Sequence, residues 1–287
     1  VLIGLLHPGA MGTAVGSCLL AAGHEIGWAS TGRGEQTHRR ATDAGFTDHG
    51  TVDELLAACP VVLSIAPPHG ALELARRANG YQGMYVDANA VSPDTAEQIA
   101  GLIVSGGGRF VDGGIIGLPP TRTGMTRLYL SGPDAPAVVA LFAGSFLDAR
   151  SLGSAVSAAS ALKMAYAAWS KGSGALLLTV RASARVLGVE DALVGEWALS
   201  QPGLAERSEQ VATAALEKAW RWTHEFAQVA DTFDAVGLPG DFGRAAEQLY
   251  ARFPRPTPLP RPTPPTDGPR ESSALADVLQ LLTPRDR

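Results

Sequence analysis

Residues 1–6, VLIGLL, form an unbroken apolar run that leads straight into the turn HPGAMG at 7–12. So short an apolar run, ended by a turn signal, predicts a strand buried on both faces, as in a parallel sheet. TAVGSCLLAAG (13–23) then predicts a helix ending at Gly23, and HEIGWAS (24–30) a second strand. A strand, a glycine-rich turn, a helix and a second strand in about 30 residues make the smallest module of a doubly wound sheet.

The alternation continues along the chain. TVDELLAA (51–58) opens with the capping-box pair Thr51 and Glu54 and predicts a helix. PVVLSIAP (60–67) holds a strand, and HGALELARRA (69–78) is helical. MYVDANA (84–90) is a strand running into a turn, and a helix is expected from Pro93 to Val104. GRFVDGGIIG (108–117) and TRLYLSG (126–132) are further strands. Such a rhythm predicts helices on both faces of a mostly parallel sheet.

The character changes after residue 152. From Ser154 to Leu187 the chain is rich in alanine and leucine with no strand signal, which predicts one long helix. Shorter helical stretches are expected at 190–199, 204–234 and 241–252. The proline-rich stretch 254–274 reads as an extended linker. SSALADVLQLL could add a last amphipathic helix, whose docking the sequence leaves open. The expected organisation is therefore a nucleotide-type domain at 1–152, a helical substrate and dimerisation domain at 153–253, and a linker and tail at 254–287.

A chain of 287 residues with 46% apolar content has room for two cores. With 28 acidic and 23 basic residues and no dense basic cluster, nothing points to nucleic acid or an anionic membrane surface. Cys18 and Cys59 are far apart in apolar segments, so buried thiols are expected rather than a disulfide or a metal pair. No spacing of His, Cys, Asp or Glu supports zinc or iron. No run approaches the roughly 18 apolar residues of a membrane span. A strand from residue 1 leaves no room for a signal peptide, while the missing initiator methionine leaves a removed segment open. A reducing, cytoplasmic location is the expectation.

The turn at 7–12 is the strongest functional signal. Gly9 permits close approach of the backbone to a pyrophosphate, Gly12 lets the helix pack on the first strand, and the helix N-terminus receives the phosphates. In G-x-G-x-x-G the first glycine would stand where this chain has His7, so the motif is two-thirds complete. A plain strand–helix turn, as in flavodoxin-like domains, is the bland alternative. The position after an N-terminal strand and before a helix favours a dinucleotide held by His7, Pro8, Gly9, Ala10, Met11 and Gly12. At the end of the second strand stand Ser30, Thr31, Gly32 and Arg33, with no acid before Glu35. Hydroxyls with an arginine suit a 2′-phosphate, so Thr31 and Arg33 favour NADP. Arg33 as a solvated loop residue, with Glu35 or the backbone holding an NAD ribose, is the other reading. The fold class expected is thus an α/β Rossmann domain, doubly wound with a mostly parallel sheet, followed by an all-α C-terminal domain.

IGLLHPGAMGTAVGSCLLAAGHEI resembles the opening of the β-hydroxyacid dehydrogenase and 6-phosphogluconate dehydrogenase superfamily. ALKMAYAAWSKGSGALL, EKAWRWTHEF and GLPGDFGRAAEQLY are similar to its less characterised branch with a distinctive helical domain. The resemblance covers about residues 1–253. It implies hydride transfer with NAD or NADP on a small hydroxy or carbonyl compound, and a homodimer joined through the helical domains.

On that resemblance Lys163 falls on the catalytic lysine. An ammonium beside the reacting oxygen can polarise a carbonyl or exchange the alcohol proton. A lysine snorkelling from a helix surface is the alternative. The asparagine found four residues on in well-studied members is here Ala167, while Tyr166, three residues on, can share a face with Lys163 or simply pack in the core. Asn89 matches the turn near nicotinamide and substrate, where its side chain offers a donor and an acceptor for catalysis or cofactor binding, although stabilising the turn is as common a role. Ala66, Pro67 and Pro68 resemble the loop lining the cofactor. The family's D-A-P-V-S-G-G segment reads here Asp112–Gly113–Gly114–Ile115–Ile116–Gly117–Leu118. Ile116 and Leu118 remove the hydroxyl and the last glycine, which points to a more apolar or bulkier substrate than a small hydroxyacid. His224 or Glu225 could partner Lys163, or belong to packing or a subunit contact. Two other readings stand beside the dehydrogenase. An imine reductase shares the two-domain plan, usually with Asp or Tyr in place of the lysine. An inactive nucleotide-binding protein would keep the fold without the chemistry.

Overall fold

A computed structural model of the chain describes residues 1–255 and 273–283. It forms two compact units, Val1–Ala165 and Tyr166–Arg287. The expected linker at 254–274 lies, for residues 256–272, outside the described residues.

The first unit is built on one eight-stranded sheet. Its strands are β1 (Leu2–Leu5), β2 (Glu25–Trp28), β3 (Thr47–Asp48), β4 (Val61–Ser64), β5 (Met84–Asp87), β6 (Arg109–Gly117), β7 (Thr126–Ser131) and β8 (Asp148–Ser151). Their order is β3-β2-β1-β4-β5-β6-β7-β8. Every pair is parallel except β6–β7, which is antiparallel. The order reverses between β1 and β4, and open sheets of this kind bind ligands beyond the strand C-termini at such a reversal.

The helices between the strands are α1 (Ala10–Ala21), α2 (Glu35–Asp43), α3 (Val52–Ala58), α4 (Ala71–Arg77), α5 (Pro93–Ser105) and α6 (Ala135–Leu141). Alternate residues along each strand feed two cores. Ile3, Leu5, Leu63, Val86 and Val111 join Val15 and Leu19 of α1 and Val138 of α6. Leu6, Val62, Tyr85 and Phe110 join Leu55 of α3, Ala71 and Ala75 of α4, and Ile99 and Ile103 of α5 on the other face. Full burial of each large side chain contributes about 1.5–3 kcal/mol, so both faces need their helices. The box expected at Thr51 and Glu54 forms, with both reciprocal bonds present. Cys18 and Cys59 are buried free thiols.

Two strands escaped the sequence pattern. β3 has two exposed residues, and β8 (DARS) has no buried one. Both are edge strands, where polar and charged residues discourage pairing with another chain, so neither carries an apolar signal.

The second unit is almost wholly helical. α7 (Ala158–Val186) brings the chain into it, followed by α8 (Glu190–Ser200), α9 (Leu204–Lys218), α10 (Thr223–Ala235), α11 (Asp241–Tyr250) and α12 (Ala274–Leu282). The stretch expected as helix from 204 to 234 is interrupted by a 3-10 turn at Ala219–Arg221. Buried Arg181 of α7 donates to Glu190 at 2.7 Å and Ser208 at 2.9 Å, joining α7 to α8 and α9. α12 packs on α9 and buries Leu275, Val278, Leu279 and Leu282, so the last helix docks. Among the described residues no helix is long and apolar enough to cross a membrane.

Candidate active site

The glycine-rich turn leaves β1 and enters α1 at Gly9, which offers no side chain to cap the helix, and the first turn of α1 has no acidic residue. Its opening amides have no intrahelical acceptor and are suited to an anion. The loop is closed by the Gly9 amide donating to the His7 carbonyl at 2.8 Å, and by the Thr13 hydroxyl donating to the Pro8 carbonyl at 3.2 Å. A Cβ on Gly12 would lie 2.5 Å from the His7 carbonyl oxygen. Only glycine lets the helix approach the turn that closely.

Two arginines reach back to this turn. Arg33 donates from Nη1 to His7 Nδ1 at 3.1 Å and from Nη2 to the Leu6 carbonyl at 2.8 Å. Arg40 of α2 donates to the Pro8 carbonyl at 3.2 Å. A guanidinium has no acceptor, so His7 Nδ1 accepts and the imidazole is neutral with its proton on Nε2. Burial, then the charges of Arg33 and Arg40, hold His7 below its ordinary pKa. Burial and neighbouring Arg77 likewise press Arg33 downward. Among the described residues neither Arg33 nor Arg40 pairs with a carboxylate. Thr31 is exposed beside them, its amide donating to the Gly50 carbonyl at 2.9 Å.

The loops after β4 and β5 are tied together by Asn89, which is only 2% exposed. Its Oδ1 accepts from the Ala66 amide at 2.5 Å, and its Nδ2 donates to Ser64 Oγ at 2.9 Å and Asp87 Oδ2 at 2.8 Å. The amide is therefore occupied in fixing Ala66, and with it the segment Pro67–Pro68, against the turn after β5. Asp87 and Asp112 face each other in register across β5 and β6, both fully buried. Burial pushes Asp87 up to about 7; bonds from Asn89 oppose the rise and Asp112 adds to it. Asp112 is also raised by burial, against the pull of its bonds to Ser160 and Ser131.

Those bonds fix the start of α7. Asp112 accepts from the Ser160 hydroxyl at 2.6 Å and the Ser160 amide at 2.8 Å. It also accepts from Ser131 Oγ at 3.2 Å, while Ser131 accepts from the Ala159 amide at 3.0 Å. Lys163 follows one turn later. A Cβ on Gly114 would lie 2.7 Å from the Ala159 carbonyl oxygen and 3.1 Å from Lys163 Cβ, so β6 and α7 touch backbone to backbone here. Gly114 lies two residues beyond Asp112, which pairs with the last residue of β5. Lys163 thus stands at the C-terminal edge of the parallel strands.

Residues 184–253 match a family model described as a domain of unknown function, DUF1932. An uncharacterized 28.5 kDa protein in the 7S RNA 5′ region of Methanothermus fervidus is 32% identical over 164 residues. That match covers 57% of this chain and 63% of the relative, less than two thirds of its length. The conserved protein MTH1747, of unknown function and described as structurally similar to 3-hydroxyacid dehydrogenases, is 30% identical with a TM-score of 0.66. The alignment covers 86% of this chain and 96% of MTH1747. The chain belongs to the β-hydroxyacid dehydrogenase and 6-phosphogluconate dehydrogenase-like superfamily. The 3-hydroxyisobutyrate dehydrogenase of Mycobacterium tuberculosis shares the fold at 18% identity, with a TM-score of 0.63 over 88% of this chain and 92% of its own. The superfamily's fold is that of NAD(P)-binding oxidoreductases.

Against the superfamily's pattern, the structure brings His7–Gly12 and Arg33 together at one turn, and Ala66–Pro68 and Asn89 at the next. Ile116 is buried, whereas Leu118 is exposed. In the second unit Tyr166 is 47% exposed on α7. Glu225 is buried and its carboxylate accepts from Lys171, whose ammonium lies 5.6 Å from the Trp222 ring centroid. His224 beside it is exposed. Sequence reasoning passed over Arg40, Ser131, Ser160 and Lys171. Only Lys171, a cation set among small and apolar residues of α7 as Lys163 is, gave any signal of its own.

Proposed function

We propose that the protein is an NADP-dependent oxidoreductase that transfers a hydride between nicotinamide and a small carbonyl or hydroxy compound. The observation that carries this reading is the placement of Lys163. It sits at the C-terminal edge of the sheet, on a helix start bolted to β6 by Asp112. The α1 amides at Gly9–Gly12 would receive the pyrophosphate, and Arg33 with Thr31 the 2′-phosphate. The unpartnered, buried Nε of Arg33 and the uncapped start of α1, which has no acidic residue in its first turn, both fit such a group. Ala66, Pro67 and Pro68, held by Asn89, would border the nicotinamide. The bound cofactor supplies the hydride. Lys163 donates its proton to the carbonyl oxygen in reduction and takes it back in oxidation. Tyr166, one turn on, is a second donor. Ile116 and Leu118 select a substrate more apolar than a small hydroxyacid.

The test is NADPH consumption by purified protein against carbonyls, hydroxyacids and imines. Turnover of an apolar aldehyde or ketone is expected. Turnover of imines alone, or tight NADPH binding without any turnover, would overturn the carbonyl reading.

The same reading makes the protein a homodimer through its helical unit. Trp169 and Leu176 lie two turns apart on one face of α7, and Trp169 is 73% exposed. Large apolar side chains exposed in a row mark a contact surface. Size-exclusion chromatography with light scattering should give twice the 29.7 kDa chain mass, and a clean monomer at micromolar concentration would refute it.

A further inference from the structure

We propose that His7 is a specificity-determining residue: its neutral imidazole holds Arg33 over the phosphate turn and so makes the turn select a dinucleotide bearing an extra phosphate. This rests on the reading of Arg33 as the 2′-phosphate ligand. His7 occupies the place where the dinucleotide turn ordinarily has its first glycine, so the chain has exchanged room for an acceptor. That acceptor is used, since Arg33 crosses 26 residues of sequence to reach it. Of the five N–H donors on a guanidinium, one goes to His7 Nδ1 and one to the Leu6 carbonyl. The rest of the fork, including a buried Nε with no partner among the described residues, remains for an anion.

Charge points the same way. Arg33 and Arg40 crowd one turn, and Arg77 is near enough to press on Arg33. Two cations held by carbonyls and a ring nitrogen, without a carboxylate, lack only a counter-ion. An unheld arginine would lose side-chain rotamer entropy when the phosphate bound. One already fixed by His7 and Leu6 loses less, and the benefit falls only to the cofactor that carries the phosphate. His7 is thus a positioning residue acting through Arg33. Gly9 leaves the imidazole its place, since a Cβ there would meet the ring at 3.3 Å.

The experiment titrates full-length wild type, His7→Gly and His7→Asn with NADPH and with NADH, following nicotinamide fluorescence. Asparagine offers Oδ1 near the position of Nδ1, whereas glycine restores the usual motif and removes the acceptor. Loss of a hydrogen bond to a charged group should weaken NADPH binding to His7→Gly by about tenfold. NADH affinity should fall by much less, so that the preference for NADPH over NADH drops, and His7→Asn should recover most of that preference. The NADH arm and a thermal melt show that each variant is folded. Undiminished NADPH affinity in His7→Gly, or an equal loss of both cofactors, would overturn the role of His7 while leaving Arg33 standing. Equal wild-type affinity for NADPH and NADH would instead remove the Arg33 assignment, and the inference with it.

Discussion

Lys163→Met is expected to lower kcat by about 10²- to 10⁴-fold on any carbonyl the enzyme accepts, with NADPH affinity retained. Methionine keeps the length and much of the volume of lysine but has no proton to give. On the proposed reading the phosphates would be held by the turn between β1 and α1 and by Arg33, none of which involves Lys163, so cofactor titration should not move. Lys163→Arg separates charge from proton transfer. It preserves a cation at the edge of β6, yet a guanidinium does not release its proton near neutrality. Both variants should therefore be slow, with the arginine form closer to wild type in KM. A Lys163→Met enzyme retaining more than about a tenth of wild-type kcat would remove the lysine from the chemistry. Tyr166 would then be the next residue to replace.

Most of the first unit could be read from sequence because its strands are buried on both faces. VLIGLL and PVVLSIAP are almost wholly apolar, which leaves little choice but a central parallel strand. β3 and β8 lie at the sheet edges, where polar residues are the rule, and their sequences resemble loops. The turn HPGAMG was legible as the link between β1 and α1, and the departure at His7 was visible as a missing glycine. Its reason was not, because Arg33 and Arg40 meet the turn only after α2 has folded back beside it. The facing of Asp87 and Asp112 depends on strand register, and the grip of Asp112 on Ser160 spans 48 residues. Neither leaves a local pattern. Lys163 came from resemblance alone, since one lysine among apolar residues is also what a snorkelling side chain looks like. For Asn89 the sequence leaves a substrate-side role and turn stabilisation both open, and in the structure its side-chain amide is engaged with Ala66, Ser64 and Asp87.

The buried carboxylates give the protein an unusual dependence of stability on pH. Asp87 titrates at about 7 in the fold against an ordinary value of 3.8. Between those values the folded chain keeps a proton that the unfolded chain gives up. Stability therefore falls as pH rises through that window, by up to about 1.4 kcal/mol per pH unit and about 4 kcal/mol in all. Asp112, raised in the same direction, adds to the decline. Asp48, Asp148, Glu190 and Asp234 are shifted the other way, and their opposite contribution is lost only as pH falls through the lower carboxylate range. Asp87→Asn removes the titrating group. It costs one hydrogen bond to Asn89 at every pH, about 1 kcal/mol, because its own Nδ2 would face another donor. Relative to wild type the variant should be weaker near pH 4, level with it part-way up the window and more stable above pH 7. Urea unfolding midpoints across that range would show the two curves crossing. Parallel curves would mean that Asp87 is ionised in the fold throughout, and that its bonds from Asn89 outweigh its burial.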